Sequence, residues 1–233
     1  MRPHSTTPAR ARSRPSTVDV RYPFFLANAT YAVVEGDTAY ARSYCGYPGM
    51  AIACEGGRAM LKLKGDNYTV LDIDYSNHTI TVADVLASGS DCPRVTHNVT
   101  LPPETWLNLS TTANVNLVFF FDCVFTTATP PPSALVPINC SSFPQRDRMS
   151  YVAAEPNLSP RDGSNYLSRL NSDGYGQVLK QGFQLTWDPS AGSCYLCENS
   201  GGQCSYNAAG DGEFLGCLCS DGSVRSLDCG NRK

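Results

Sequence analysis

The sequence predicts an all-β, disulfide-rich chain, with a β-sandwich-like N-terminal domain followed by a small cysteine-rich domain, and three observations carry that prediction. From Tyr22 to Phe125 short apolar/polar alternations recur between turn signals, with no long helical period among them. Six of the eleven cysteines fall between Cys194 and Cys229, among glycines and few large apolar residues, a segment that cannot build much core and needs cross-links. Between these regions runs a proline-rich stretch, Thr126 to Pro137, with Pro130-Pro131-Pro132 at its centre.

Residues 1–21 read as a disordered basic tail, five arginines (Arg2, Arg10, Arg12, Arg14, Arg21) standing against Asp19 with no apolar periodicity. Residues 22–125 form the first domain. Within it, Leu71, Ile73 and Tyr75 face one way and Asp72 and Asp74 the other. Ser76-Asn77-His78 supplies a turn, and Ile80 and Val82 alternate with Thr79 and Thr81, which together predict an antiparallel hairpin flanked by its two sequons. Met60 to Lys64 is a half-buried strand with lysines outward, and Val115 to Phe125, apolar on both faces, reads as a central strand. Residues 126–139 are a stiff linker, 140–229 the cysteine-rich domain, and 230–233 a tail. In the second domain Tyr166 to Leu170 and Val178 to Gly182 suit short helical turns, and Phe183 to Trp187 suits a strand.

Seven Asn-X-Ser/Thr sequons, at Asn28, Asn67, Asn77, Asn98, Asn108, Asn139 and Asn157, exceed chance and point to a glycosylated exterior. The cysteines agree, because disulfides form in oxidising compartments. The expected setting is extracellular, at the cell wall or the outer face of the plasma membrane, although the start lacks the apolar region of a signal peptide. No run approaches the ~20 apolar residues of a membrane helix, so a membrane would be reached only through a segment absent here. The net charge of −3, with the acidic excess in the body of the chain, excludes nucleic acid as the expected partner.

The spacing Cys194-x2-Cys197, Cys204, Cys217-x-Cys219 and Cys229 could hold zinc, but thiols in an oxidising lumen pair. A Cys-x-Cys followed by a loop to a last cysteine is reminiscent of epidermal-growth-factor-like modules. All eleven cysteines are therefore disulfide candidates. Cys45, Cys54, Cys92 and Cys123 are expected to pair among themselves on one side of the linker. Cys140, Cys194, Cys197, Cys204, Cys217, Cys219 and Cys229 lie on the other, with the odd cysteine left there. His4, His78 and His97 are the only histidines, and no nucleophile elbow, metalloprotease helix, phosphate loop or kinase signature appears. Asp72 and Asp74 share a strand face as a glycosidase pair could, yet solvated strand faces look the same. No enzyme activity, metal or cofactor is expected.

Tyr22-Pro23-Phe24, Tyr44-Cys45-Gly46-Tyr47-Pro48-Gly49-Met50, Ala53-Cys54, Tyr68 to Ile73 and Cys92-Pro93 stand in an order that closely resembles the galacturonan-binding domain of plant wall-associated receptor kinases. Leu117 to Cys123 looks like that domain's closing strand. Gly182 to Trp187, Cys194 to Cys197, Ser200 to Cys204 and Cys217 to Gly222 resemble the family's C-terminal cysteine-rich domain. Two departures stand out, the absence of a Cys-Gly pair before Tyr22 and of a further cysteine between Ser172 and Gln177.

The resemblance implies an extracellular polysaccharide-binding ectodomain, specific for galacturonan (pectin) and lacking the kinase of full-length relatives, which are receptor Ser/Thr protein kinases. A peptide- or protein-binding ectodomain, or a non-binding remnant, is the alternative. A uronate polymer needs cations for its carboxylates and flat apolar faces for its rings. Arg42, Arg58, Lys62 and Lys64 are the candidate cations, Tyr44, Tyr47 and Trp106 the candidate stacking faces, and calcium a candidate bridge.

Overall fold

The computed structural model describes residues 18–28, 31–35, 38–89, 91–139, 149–154, 170, 174–189, 192, 194–208 and 212–230. The basic residues 1–17, Cys140, Asn157, the helical turn expected to begin at Tyr166 and the side chain of Arg42 lie outside the described residues.

In chain order the elements are β1 (Phe25–Leu26), β2 (Tyr31–Glu35), β3 (Thr38–Cys45), β4 (Ala51–Glu55), β5 (Arg58–Leu63), β6 (Asp66–Asp74), β7 (Thr79–Asp84) and the one-turn helix α1 (Val85–Ser88). There follow β8 (Leu107–Leu109), β9 (Leu117–Cys123), β10 (Val136–Pro137), β11 (Met149–Ala154), α2 (Tyr175–Lys180), β12 (Phe183–Trp187), α3 (Cys194–Asn199), β13 (Gln203–Asn207), β14 (Phe214–Leu218) and β15 (Val224–Arg225). The described chain is all-β in character, with three disulfides in its C-terminal part.

The chain divides into two compact units that interleave in sequence: residues 1–80, 100–108 and 186–233 form one, residues 81–99 and 109–185 the other. The boundaries therefore differ from a linear split at the proline-rich stretch. That stretch ends in Leu135-Val136-Pro137-Ile138, whose Val136 and Ile138 are buried in a core with Val152, Leu170, Tyr175 and Val178. An apolar run this dense folds onto its neighbours rather than spanning between domains.

In the first unit β4, β5 and β6 form an antiparallel meander, with β1 parallel to β4. Alternation decides its two faces. Ile52, Leu61, Leu63, Tyr68 and Val70 are buried on one, each large aliphatic side chain contributing about 1.5–3 kcal/mol. Lys62, Asn67 and Leu71 are exposed on the other. The inward phase of β6 is set by Tyr68 and Val70, so Leu71, expected on the apolar side, is 41% exposed. Asn67, expected to flank the strand, is its second residue. Across the following turn Ile80 and Val82 are fully buried, as the alternation there predicts. The turn is closed by Asp74, whose carboxylate accepts from the Ser76 and Asn77 backbone amides and from Asn77 Nδ2 at 2.6 Å. Those bonds, the Asn77 amide foremost, hold Asp74 below the usual carboxylate range.

The unit's second sheet runs β15-β14-β13-β3-β2. Here β13 pairs antiparallel with β3, Ser205 opposite Cys45 and Tyr206 opposite Tyr44, so a strand of the cysteine-rich segment completes a sheet begun near the N-terminus.

In the second unit the strand order is β10-β11-β9, which places β9 at one end. Among the described residues the stretch around Val115–Phe125 is thus not a central strand: none of its β9 residues is fully buried, and Phe120 is 40% exposed. Apolar character on both faces identified a strand but not its neighbours. Tyr175 donates to Pro93 O at 3.0 Å and meets Phe119 edge-on at 5.6 Å. Gly176 makes that approach feasible, because a Cβ there would lie 2.0 Å from Asp91 O.

Candidate functional site

The candidate cations gather on the outward face of the β5 hairpin. Arg58 opens β5, Lys62 follows four residues later on the same face, and both are exposed. By strand rise their Cα atoms lie about 13 Å apart. Lys64 is exposed in the two-residue turn Lys64-Gly65, which joins β5 to β6 with φ of 47° and 102°. None of the ion pairs among the described residues uses Arg58, Lys62 or Lys64. Across the strand pair Lys62 stands opposite Asn67 and Met60 opposite Thr69, while Arg58 stands opposite Glu55 on β4. The face therefore offers two strand cations and a turn cation, with Met60 between the strand cations buried.

The aromatic candidates are placed differently. Tyr47 is fully buried and Tyr44 nearly so. Tyr44 stacks on Phe25 with ring centroids 4.0 Å apart, and its other neighbour is Tyr206 at 5.9 Å; burial raises its phenol to about 12. Trp106, half-buried, sits 4.4 Å from the Tyr47 ring. These rings pack against each other, so Tyr44 and Tyr47 are not open platforms for a sugar. A sequence rich in tyrosine does not reveal which rings a second sheet will cover, and β13 supplies that cover with Tyr206.

Beneath the rings lies a polar group that sequence reading missed. Glu198, on α3, accepts from the hydroxyls of both Tyr22 and Tyr47 on one carboxylate oxygen, each at 2.5 Å. The Tyr22 hydroxyl also accepts from the Cys204 backbone N–H at 3.3 Å. Burial, then the bonds to Glu198 and its charge, push both phenols far above their ordinary range. Burial likewise raises the Glu198 carboxyl, its two phenol donors offsetting only part of the effect. The arrangement ties Tyr22 and Tyr47, from two N-terminal motifs, to a helix of the cysteine-rich segment. A lone acid beside Cys197 gave no signal of this in the sequence.

Cys194 is bonded to Cys204, Cys197 to Cys217 and Cys219 to Cys229. The sulfurs of Cys217, Cys219 and Cys229 lie within 4.8 Å of one another, a spacing a metal could use. Because all three are already in disulfides, they offer no thiolate, and zinc does not suit the site. Cys92 is disulfide-bonded, whereas Cys45, Cys54 and Cys123 stand as thiols. The expected pairing among these four does not form, since the only bonded member reaches a partner outside the set. The thiols also precede Thr126, contrary to the expectation of an orphan in the second half. Asn28, Asn67, Asn77, Asn98, Asn108 and Asn139 are all exposed. No helix among the described residues is long and apolar enough to cross a membrane.

Two family models match the chain in order. That for the wall-associated receptor kinase galacturonan-binding domain covers residues 12–84, and that for the wall-associated receptor kinase C-terminal domain covers residues 150–222. Similar proteins include two from Arabidopsis thaliana. The leaf rust 10 disease-resistance locus receptor-like protein kinase-like 1.2 is 26% identical over 232 residues, 92% of this chain and 32% of that protein. The corresponding protein kinase-like 1.4 is 21% identical over 168 residues, 70% of this chain and 25% of that protein. The chain thus spans about a third or less of the length of the curated relatives it matches. No solved structure matches it.

Proposed function

We propose that this chain, whose residues 12–84 and 150–222 match in order the galacturonan-binding and C-terminal domains of wall-associated receptor kinases, binds galacturonan at the cell wall through the outward face of the β5 hairpin. The observation that carries this reading is the coincidence of the galacturonan-binding match, residues 12–84, with the exposed cations Arg58, Lys62 and Lys64. A polyuronate presents a row of carboxylates, and cations spaced along one strand meet successive charges without bending the polymer. Tyr44 and Tyr47 are buried and Trp106 half-buried, so the reading rests on the cations rather than on aromatic platforms. The module would act outside the cell, the kinase of longer relatives lying beyond the part they share with it.

Binding of homogalacturonan oligomers, measured by calorimetry with and without calcium, tests the proposal. Wild type is expected to bind and the triple variant R58A/K62A/K64A to lose about tenfold or more, each exposed pair contributing up to about 1 kcal/mol. Equal binding by both proteins would place the ligand elsewhere, and calcium-dependent binding would assign bridging to the ion.

A further inference from the structure

We propose that Asn67 is an N-glycosylation site whose glycan stands over Lys62 and gates the cationic face of the β5 hairpin. The geometry rests on register. Asn67 is a strand residue directly opposite Lys62, the second pair from the Lys64-Gly65 turn. Side chains of directly opposed residues in an antiparallel pair share a face, with Cβ atoms about 5 Å apart. Both residues are exposed, so the first sugar on Asn67 Nδ2 is held beside the Lys62 ammonium, and the rest of the glycan covers the surface in front of it. The sequon's Thr69 lies on the same face as Asn67, half-buried with its hydroxyl donating to Met60 Sδ at 3.8 Å, while Tyr68 between them is buried on the other face.

Asn77, in the turn between β6 and β7, provides the contrast. Its side chain is bonded to Asp74 in the turn at the far end of β6, about 23 Å along the strand from Asn67. A glycan there leaves Lys62 open. Two sites of identical sequence chemistry thus differ in consequence, and occupancy at Asn67 decides how many cations the face presents.

The consequence for uronate binding rests on the function proposed above; the covering of Lys62 does not. Secreted, glycosylated wild type is compared with N67Q and N77Q. Peptide mass mapping establishes occupancy, and acetylation of the folded proteins with an N-hydroxysuccinimide ester reads access to Lys62, with Lys180 as internal reference. N67Q is expected to raise Lys62 acetylation severalfold and N77Q to leave it unchanged. Homogalacturonan oligomers are expected to bind N67Q about fivefold more tightly than wild type, the effect of one exposed charge contact. Should N67Q fold poorly, enzymatic trimming of wild-type glycans to their first sugar makes the same comparison. An unmodified Asn67, or Lys62 acetylation indifferent to the glycan, overturns the proposal. Increased Lys62 access with unchanged, measurable binding overturns the gating alone. If no form binds galacturonan, the proposed function fails while the acetylation contrast still decides whether the glycan covers Lys62.

Discussion

In the β4–β5–β6 meander every strand pairs with its sequence neighbour, through turns of two residues, whereas β13 pairs with β3 and sets Ser205 against Cys45. The meander buries Ile52, Leu61, Leu63, Tyr68 and Val70 and contains no cross-link; the cysteine-rich segment is held by three disulfides and by Glu198 beneath two phenols. Both belong to one unit. The difference shows how a segment poor in large apolar residues is built into a fold: covalent links and a few desolvated polar contacts replace the apolar area that the meander buries. The open face of the meander is thereby left free to carry charge.

The comparison is most directly broken at the Cys197–Cys217 bond, which closes the longest loop of the three, with a sequence separation of 20. Replacing both cysteines by alanine is expected to cost about 3 kcal/mol in denaturant unfolding. Hydrogen exchange should locate the lost protection in β13 and β14 and leave the β5–β6 amides protected. Uniform loss across both regions would mean that the meander depends on the cross-links too.

A smaller effect is expected at Glu198. Glu198→Ala strands the hydroxyls of Tyr22 and Tyr47 and should cost about 2 kcal/mol. The pH dependence follows from the directions of the shifts. Glu198 has a folded value raised above its ordinary 4.5, so its contribution is fully present below that pH and is lost as pH rises through the folded value. Tyr22 and Tyr47, raised above 10.0, contribute fully below pH 10 and lose that contribution in the alkaline range above it. In wild type the melting temperature should fall as pH rises from about 4.5 through the folded value of Glu198, and fall again above pH 10, and E198Q should abolish the first of these two falls while keeping the second. Identical profiles for the two proteins would remove Glu198 as the titrating group.

Local chemistry was legible in the sequence to the extent that it was local. The alternation of Thr79 to Val82, the strand Phe183 to Trp187 and the clustered cysteines each point to their element through neighbouring residues. Resemblance of the ordered motifs to wall-associated kinases is matched by the two family models. Long-range partners were not legible. Nothing near Tyr44 announces Tyr206, nothing near Tyr47 announces Glu198, and the apolar end of the proline-rich stretch looked like a spacer until β11 paired with it. Of the candidate binding residues, the exposed Arg58, Lys62 and Lys64 sit where strand alternation and a turn put them, whereas Tyr44 is covered by a strand far along the chain and Tyr47 by Tyr22, Trp106 and the bond to Glu198.

The smallest expected effect separates the architecture of the meander from its charge. Lys64 holds φ of 47°, a left-handed conformation that a residue with a Cβ adopts at a cost and that glycine adopts freely. Its partner in the turn, Gly65, already meets that demand. Lys64→Gly should therefore raise stability by up to about 1 kcal/mol, partly offset by the entropy glycine gains in the unfolded chain. The same change removes a cation from the proposed uronate face, so galacturonan binding should weaken about two- to fivefold while the melting temperature rises. Lys64→Asn, which tolerates the left-handed region but lacks the charge, should reproduce the loss of binding with a smaller gain in stability. A stability gain with unchanged binding would confine the ligand to Arg58 and Lys62 on the strand; a loss of stability would show that the lysine stem, rather than the backbone conformation, is what the turn requires.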